Sequence, residues 1–119
     1  MLTSAQTYNE TWIDVCNIDE VLEDYGVCAE VDNEQIAIFR LAGCEKLFAI
    51  SNHDPFSDAN VLSRGIVGDL KGQLVVASPI FKQHFNLETG QCLEDDSVQL
   101  KTFPVRVVSG RVQVGSAEP

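Results

Sequence analysis

Positive charge is scarce in this sequence. Eight Lys and Arg stand against 18 Asp and Glu in 119 residues, a formal net charge of −10. Such a chain offers little surface that could neutralise phosphate, so nucleic acid and anionic membrane are poor partners for it. Nor is there an apolar run approaching the roughly 18–20 residues that span a bilayer. Met1–Glu10 has neither a basic start nor an apolar stretch, so no secretory signal is read there and a cytoplasmic location is expected. The four cysteines, Cys16, Cys28, Cys44 and Cys92, are never spaced as a metal knuckle or a Cys-x-x-Cys redox motif, and in a reducing compartment buried thiols are expected. Spacing alone leaves open whether any two of them pair.

Reactive arrangements are missing as well. His53 and His84 lie in no recognisable serine or cysteine hydrolase context. Gly65, Gly68 and Gly72 are spaced as turn residues and do not open a helix, so no phosphate cradle is read. The adjacent acids Asp19-Glu20, Glu23-Asp24 and Asp95-Asp96 read as solvated pairs, and Glu94-Asp95-Asp96 as a solvated acidic loop. No metal site is expected.

What is present is a folded composition, 45% hydrophobic and 22% charged, close to globular usage at the size of one domain. Residues 9–115 are expected to form it, with flexible ends at 1–8 and 116–119. Thr11–Cys16 reads as a strand, and Asn17 followed by Asp19 and Glu20 as a capped helical turn. Gly26–Val31 and Gln35–Leu41 flank the turn Asp32-Asn33-Glu34 as a hairpin, and Leu47–Ser51 leads into a Pro-containing loop at Asn52–Asn60. Leu74–Ala77 is a strand ended by Ser78-Pro79, and His84–Leu87 pairs back with Gln91–Leu93. Val105, Val107, Val112 and Val114 alternate with polar residues around Ser109-Gly110, predicting a closing hairpin with one buried face. About ten short strands with frequent turns predict an all-β sandwich or small barrel carrying one short helix.

Two loops carry a resemblance. Asn52-His53-Asp54-Pro55-Phe56 after one strand, and Ser78-Pro79-Ile80-Phe81 followed by His84-Phe85-Asn86-Leu87-Glu88-Thr89-Gly90 after another, resemble the two cluster-binding loops of Rieske proteins. That fold of small antiparallel sheets holds a [2Fe-2S] centre through one Cys and one His from each loop. Laid on this chain, the resemblance puts the first Cys and His at Asp54 and Phe56, and the second Cys and His at Ser78 and Phe81. All four ligands are replaced, while Pro55, Pro79, Phe85-Asn86-Leu87 and Thr89-Gly90 keep the surroundings. Carboxylate and hydroxyl are hard donors and phenylalanine offers no lone pair, so no cluster is expected on this chain.

The combination is similar to the small subunits of assimilatory NAD(P)H-dependent nitrite reductases. The likeness extends from Trp12 and Cys16 through Gln35–Arg40, Asp54-Pro55-Phe56 and Val61–Asp69 to the closing hairpin. It implies a non-catalytic subunit that accompanies a large subunit bearing FAD, an iron–sulfur cluster and siroheme, which reduces nitrite to ammonium. Pro55, Phe56, Arg64, Pro79, Phe81 and His84 are the candidate partner surface, with loop packing the plainer role for the two phenylalanines and surface hydrogen bonding the plainer role for the histidines. Asp54 before Pro55 is expected to cap a neighbouring loop through that loop's backbone amides, and Trp12 to be core. The rival readings are a Rieske-type ferredoxin carrier with unusual ligands and a free-standing binding module of the same fold.

Overall fold

The computed structural model describes residues 12–42 and 46–115; the expectations for 1–8, 116–119 and Cys44 lie outside them. Among the described residues twelve strands make three main antiparallel sheets and one short ladder. Strands β1 (Ile13–Asn17), β11 (Val105–Val108) and β12 (Arg111–Val114) form one sheet in the order β1-β12-β11. The largest sheet runs β10-β4-β3-β2, from Thr102–Phe103, Leu47–Ser51, Glu34–Arg40 and Tyr25–Val31. The third is β7-β8-β9, from Ile66–Leu70, Gln73–Ala77 and His84–Asn86, and β5 (His53–Asp54) pairs with β6 (Ala59–Asn60).

Three hairpins share one turn. Asp32-Asn33, Lys71-Gly72 and Ser109-Gly110 each put two successive residues at positive φ, between 50° and 86°, and each is a two-residue loop, with Val31 opposite Glu34, Leu70 opposite Gln73 and Val108 opposite Arg111. Two left-handed residues in succession give the backbone twist that continues the twist of the strands, which is why Asn and Gly serve here. Asn17 opens a 3₁₀ turn at Ile18–Glu20, where the Glu20 carboxylate accepts the Asn17 amide at 2.8 Å. A second 3₁₀ turn, Leu62–Arg64, was not expected. It forms because Leu62 is buried and because the Asn52 backbone and side chain accept the amides of Leu62 and Ser63.

The central sheet is buried on both faces. Ala37 and Phe39 of β3 with Phe48 and Ile50 of β4 join Leu62, Val76, Phe85 and Leu87 in one cluster. The intervening Ile36 and Ile38, with Leu47 and Ala49, face Phe103, Val112 and Val114 in another. Two covered faces explain why these strands read as unbroken apolar runs rather than alternations. The closing hairpin has a buried face at Val112 and Val114, but Val107, opposite Val112, is exposed because β11 is the edge of its sheet. The expected return strand at Gln91–Leu93 is reduced to a single bridge, Phe85 opposite Cys92. Among the described residues no helix is long and apolar enough to cross a membrane.

Gly90 is where the fold depends most on glycine. Its φ is +80°, and a Cβ there would run into the Leu100 backbone, whose amide donates to the Gly90 carbonyl at 2.8 Å. Gly110 has a similar φ with open space around it. Gly90→Ala is therefore expected to lower unfolding free energy by about 1–3 kcal/mol, and Gly110→Ala by about 1 kcal/mol or less; urea denaturation of both variants checks the ranking.

Candidate functional site

The segment after β4 passes through β5 to Asp54, β8 is followed at once by Ser78, and the two loops meet through these side chains. Asp54 and Ser78 are both fully buried, and the Ser78 hydroxyl donates to Asp54 Oδ2 at 2.5 Å. The loops are built alike around this contact. Asp54 Oδ1 accepts the amide of Phe56 at 2.9 Å, and Ser78 Oγ accepts the amide of Ile80 at 3.3 Å. Each carbonyl then accepts the amide four residues on: Asp58 N–H donates to Asp54 O at 2.8 Å and Lys82 N–H to Ser78 O at 3.1 Å. Asp58 and Lys82 reach those carbonyls with φ of 56° and 69°, a left-handed conformation that costs a non-glycine residue about 1 kcal/mol. The Ser57 hydroxyl gives Asp54 a third donor at 2.9 Å.

Burial pushes the Asp54 carboxyl pKa up, but donation from Ser78, from the Phe56 amide and from Ser57 outweighs it and holds the pKa below the ordinary aspartate value. The carboxylate is thus an ionised, buried, fully satisfied group, the condition under which burying a charge is tolerable.

The other expected site residues separate. Phe56 turns inward, packing against the core with its ring 6.2 Å from that of Phe85. Phe81 points out and is 57% exposed, beside Ile80 at 45%; Pro55 is exposed and Pro79 half-buried. Packing is thus seen for Phe56, while Phe81, for which it was equally expected, stands in solvent. His84 is tied down by Glu94, whose carboxylate accepts its amide at 2.7 Å and lies 2.6 Å from Nδ1. Glu94 is therefore a brace of the strand after the second loop rather than part of a free acidic loop. His53 sits 3.2 Å from both Asn60 Oδ1 and Asp58 Oδ1. Arg64 is exposed and lines a different cavity, with Tyr25 and Ile66.

Among the described cysteines, Cys16, Cys28 and Cys92 are free thiols. Cys28 is exposed and Cys16 only part-covered, against the expectation of burial, while Cys92 is buried. Burial of the sulfur is the first cause raising all three thiol pKa values, which disfavours reactive thiolates. Trp12 is half-buried beneath the Arg106 guanidinium, 4.1 Å from its ring. Sequence reasoning missed Asn52, fully buried, which donates to Gln35 Oε1 at 3.0 Å and accepts the Ser63 amide at 2.6 Å. An amide two residues after the apolar run Leu47–Ile50 was the available signal.

The donor set does not fit a [2Fe-2S] centre: Asp54 and Ser78 are hard oxygen groups spent on each other, and Phe56 and Phe81 have no lone pairs. Among the described residues no group of three or more His, Cys, Asp or Glu is arranged to hold a metal ion. The architecture is nevertheless that of a Rieske-like domain, and the family model described as "Rieske-like [2Fe-2S] domain" matches residues 11–115. The nitrite reductase (NADH) small subunit of Escherichia coli (strain K12) is 48% identical over 103 residues, covering 87% of this chain and 95% of that protein. The solution structure of the nitrite reductase [NAD(P)H] small subunit from Erwinia carotovora superposes with a TM-score of 0.76 at 47% identity, covering 91% of this chain and 83% of that one. A segment amounting to 11% of the nitrite reductase [NAD(P)H] large subunit of Klebsiella oxytoca is 36% identical to 90% of this chain. The chain belongs to the nitrite reductase small-subunit family within the Rieske-like domains.

Removing the bridge tests its role. Ser78→Ala takes one donor from a buried carboxylate and is expected to cost about 1–3 kcal/mol; a loss under about 0.5 kcal/mol would contradict a bridge that holds the loops. Because the folded pKa of Asp54 lies below the unfolded value near 3.8, its contribution is fully present above that value and lost as pH falls through the folded one. Asp54→Asn should therefore flatten the acid limb of a stability–pH curve measured by denaturant unfolding.

Proposed function

We propose that the chain is the non-catalytic small subunit of a cytoplasmic NAD(P)H-dependent nitrite reductase. It docks on a large subunit that carries FAD, an iron–sulfur cluster and siroheme and reduces nitrite to ammonium in nitrate assimilation. The match along nearly the full length of this chain and of the Escherichia coli small subunit carries this reading. The Klebsiella oxytoca large subunit adds support, since a domain like this one lies within that polypeptide.

The chain brings a shaped surface and no redox group of its own. Asp54 and Ser78 accept the loop amides and join the loops, which removes the need for a cluster to clasp them, and no residue here is assigned to the chemistry. Pro55, Pro79, Ile80 and Phe81 form the apolar tip that leads on from the clasp and meets the large subunit. An exposed aromatic, Phe81, on a rigid base suits this role, because little entropy remains to be lost on docking.

Purified full-length chain is expected to be colourless, to co-elute with the large-subunit holoenzyme, and to lose affinity about tenfold or more on Phe81→Ser, the scale of an interface anchor. Unchanged affinity for the Phe81→Ser variant would remove the tip from the interface. A stoichiometric visible iron–sulfur spectrum from the isolated chain would instead favour an electron carrier.

A further inference from the structure

The second surface of note lies away from the tip. A cavity of about 840 Å³ runs along residues 63–69, bounded across from them by Glu23–Gly26. None of the tip residues lines it. One wall is β7, the outer strand of its sheet, and among the described residues no backbone hydrogen bond ties Ile66–Leu70 to anything but β8. Edge strands are ordinarily guarded by charge, proline or a covering element. Here Ile66 is 74% exposed, Gly68 has open space where a side chain would point, and Tyr25 on the facing wall is 67% exposed. The same stretch, Leu62–Asp69, belongs to the sequence run that the tip does not use.

The rim has a sign. Glu23, Asp24 and Asp69 line the cavity against a single Arg64. A second copy of this chain, at a net charge of −10, would bring like charge to an acidic rim. An extended segment bearing lysine or arginine would find its backbone groups met by the open edge and its charges met by the rim. We propose that an extended, basic segment of the large subunit adds to β7 as a further strand and fills this groove. The proposal rests on the small-subunit reading for its partner, but not on the tip.

The test uses the full-length chain and the purified large-subunit holoenzyme. Ile66→Asp changes a side chain the fold leaves exposed, so thermal unfolding should match the parent while the dissociation constant rises about tenfold or more. Among the described residues Glu23 has no side-chain hydrogen bond or ion pair that would be lost, and Glu23→Lys should weaken binding several-fold at low salt and little at high salt. Hydrogen exchange should show the amides of 66–70 protected in the complex, and this arm stands even if a variant folds poorly. If Phe81→Ser weakens binding while Ile66→Asp and exchange at β7 do not change, the groove proposal is overturned and the small-subunit reading survives. If the unaltered chain fails to bind the large subunit, both fall. Concentration-dependent protection of β7 in the chain alone would identify a second copy as the occupant and overturn the basic segment.

Discussion

The hydrogen bond from Ser78 to Asp54 sets the terms for everything above it. In a Rieske-like scaffold two loops leave two different sheets and must converge at one point. A bound cluster achieves this by bonding four side chains. Here one buried pair at 2.5 Å joins the loops, and its strength depends on the charge: a carboxylate acceptor roughly doubles what a neutral pair would give. The same charge creates an obligation, since an ionised group with no water must be met by donors. The Phe56 amide, the Ser57 hydroxyl and the Ser78 hydroxyl meet it. The loop conformation and the ionisation state of Asp54 therefore sustain each other.

The clasp can fix the tip because its two anchors are stiff. β4 is buried on both faces and β8 contributes Val75 and Val76 to the interior. Asn52 continues that rigidity beyond β4, joining the start of the first loop to Gln35 of β3 and to the 3₁₀ turn at Leu62–Arg64. Glu94 does the same after the second loop by holding His84 through main chain and ring. Exposed residues such as Ile80 and Phe81 are thus carried on a base with few alternatives, although they are themselves unburied.

The parts of the fold legible in the sequence are those governed by near neighbours. Asp32-Asn33 and Ser109-Gly110 announce their hairpins because two left-handed residues are needed at those two positions. Asp54 was legible as a cap because Asp before Pro starts a turn, but the amide it holds is that of Phe56 in its own loop rather than one of a neighbouring loop. Features set by distant packing were not. Val107 and Val112 have the same pattern, and only the position of β11 at a sheet edge exposes the first. Glu94 looks like its acidic neighbours until His84, ten residues back, is brought to it. The pairing of Asp54 with Ser78, 24 residues apart, could be placed only through the family resemblance; neither residue type nor spacing announces it.

The fates of Phe56 and Phe81 follow from that pairing. Both begin at positions that the family pattern gives to a metal ligand, yet they stand at different offsets, two residues beyond Asp54 and three beyond Ser78. In the first loop the amide of Phe56 itself is bound by Asp54, which draws that residue down so that its ring reaches Phe85. In the second loop the bound amide belongs to Ile80, and Phe81 lies one step further out at the turn that Lys82 closes. A one-residue difference in where the phenylalanine stands within otherwise like loops thus sends one aromatic side chain inward, where it adds to the core, and leaves the other in solvent, where its apolar area is gained back only against a partner. The buried pair thus carries Ile80 and Phe81 as an exposed apolar tip on a firm base.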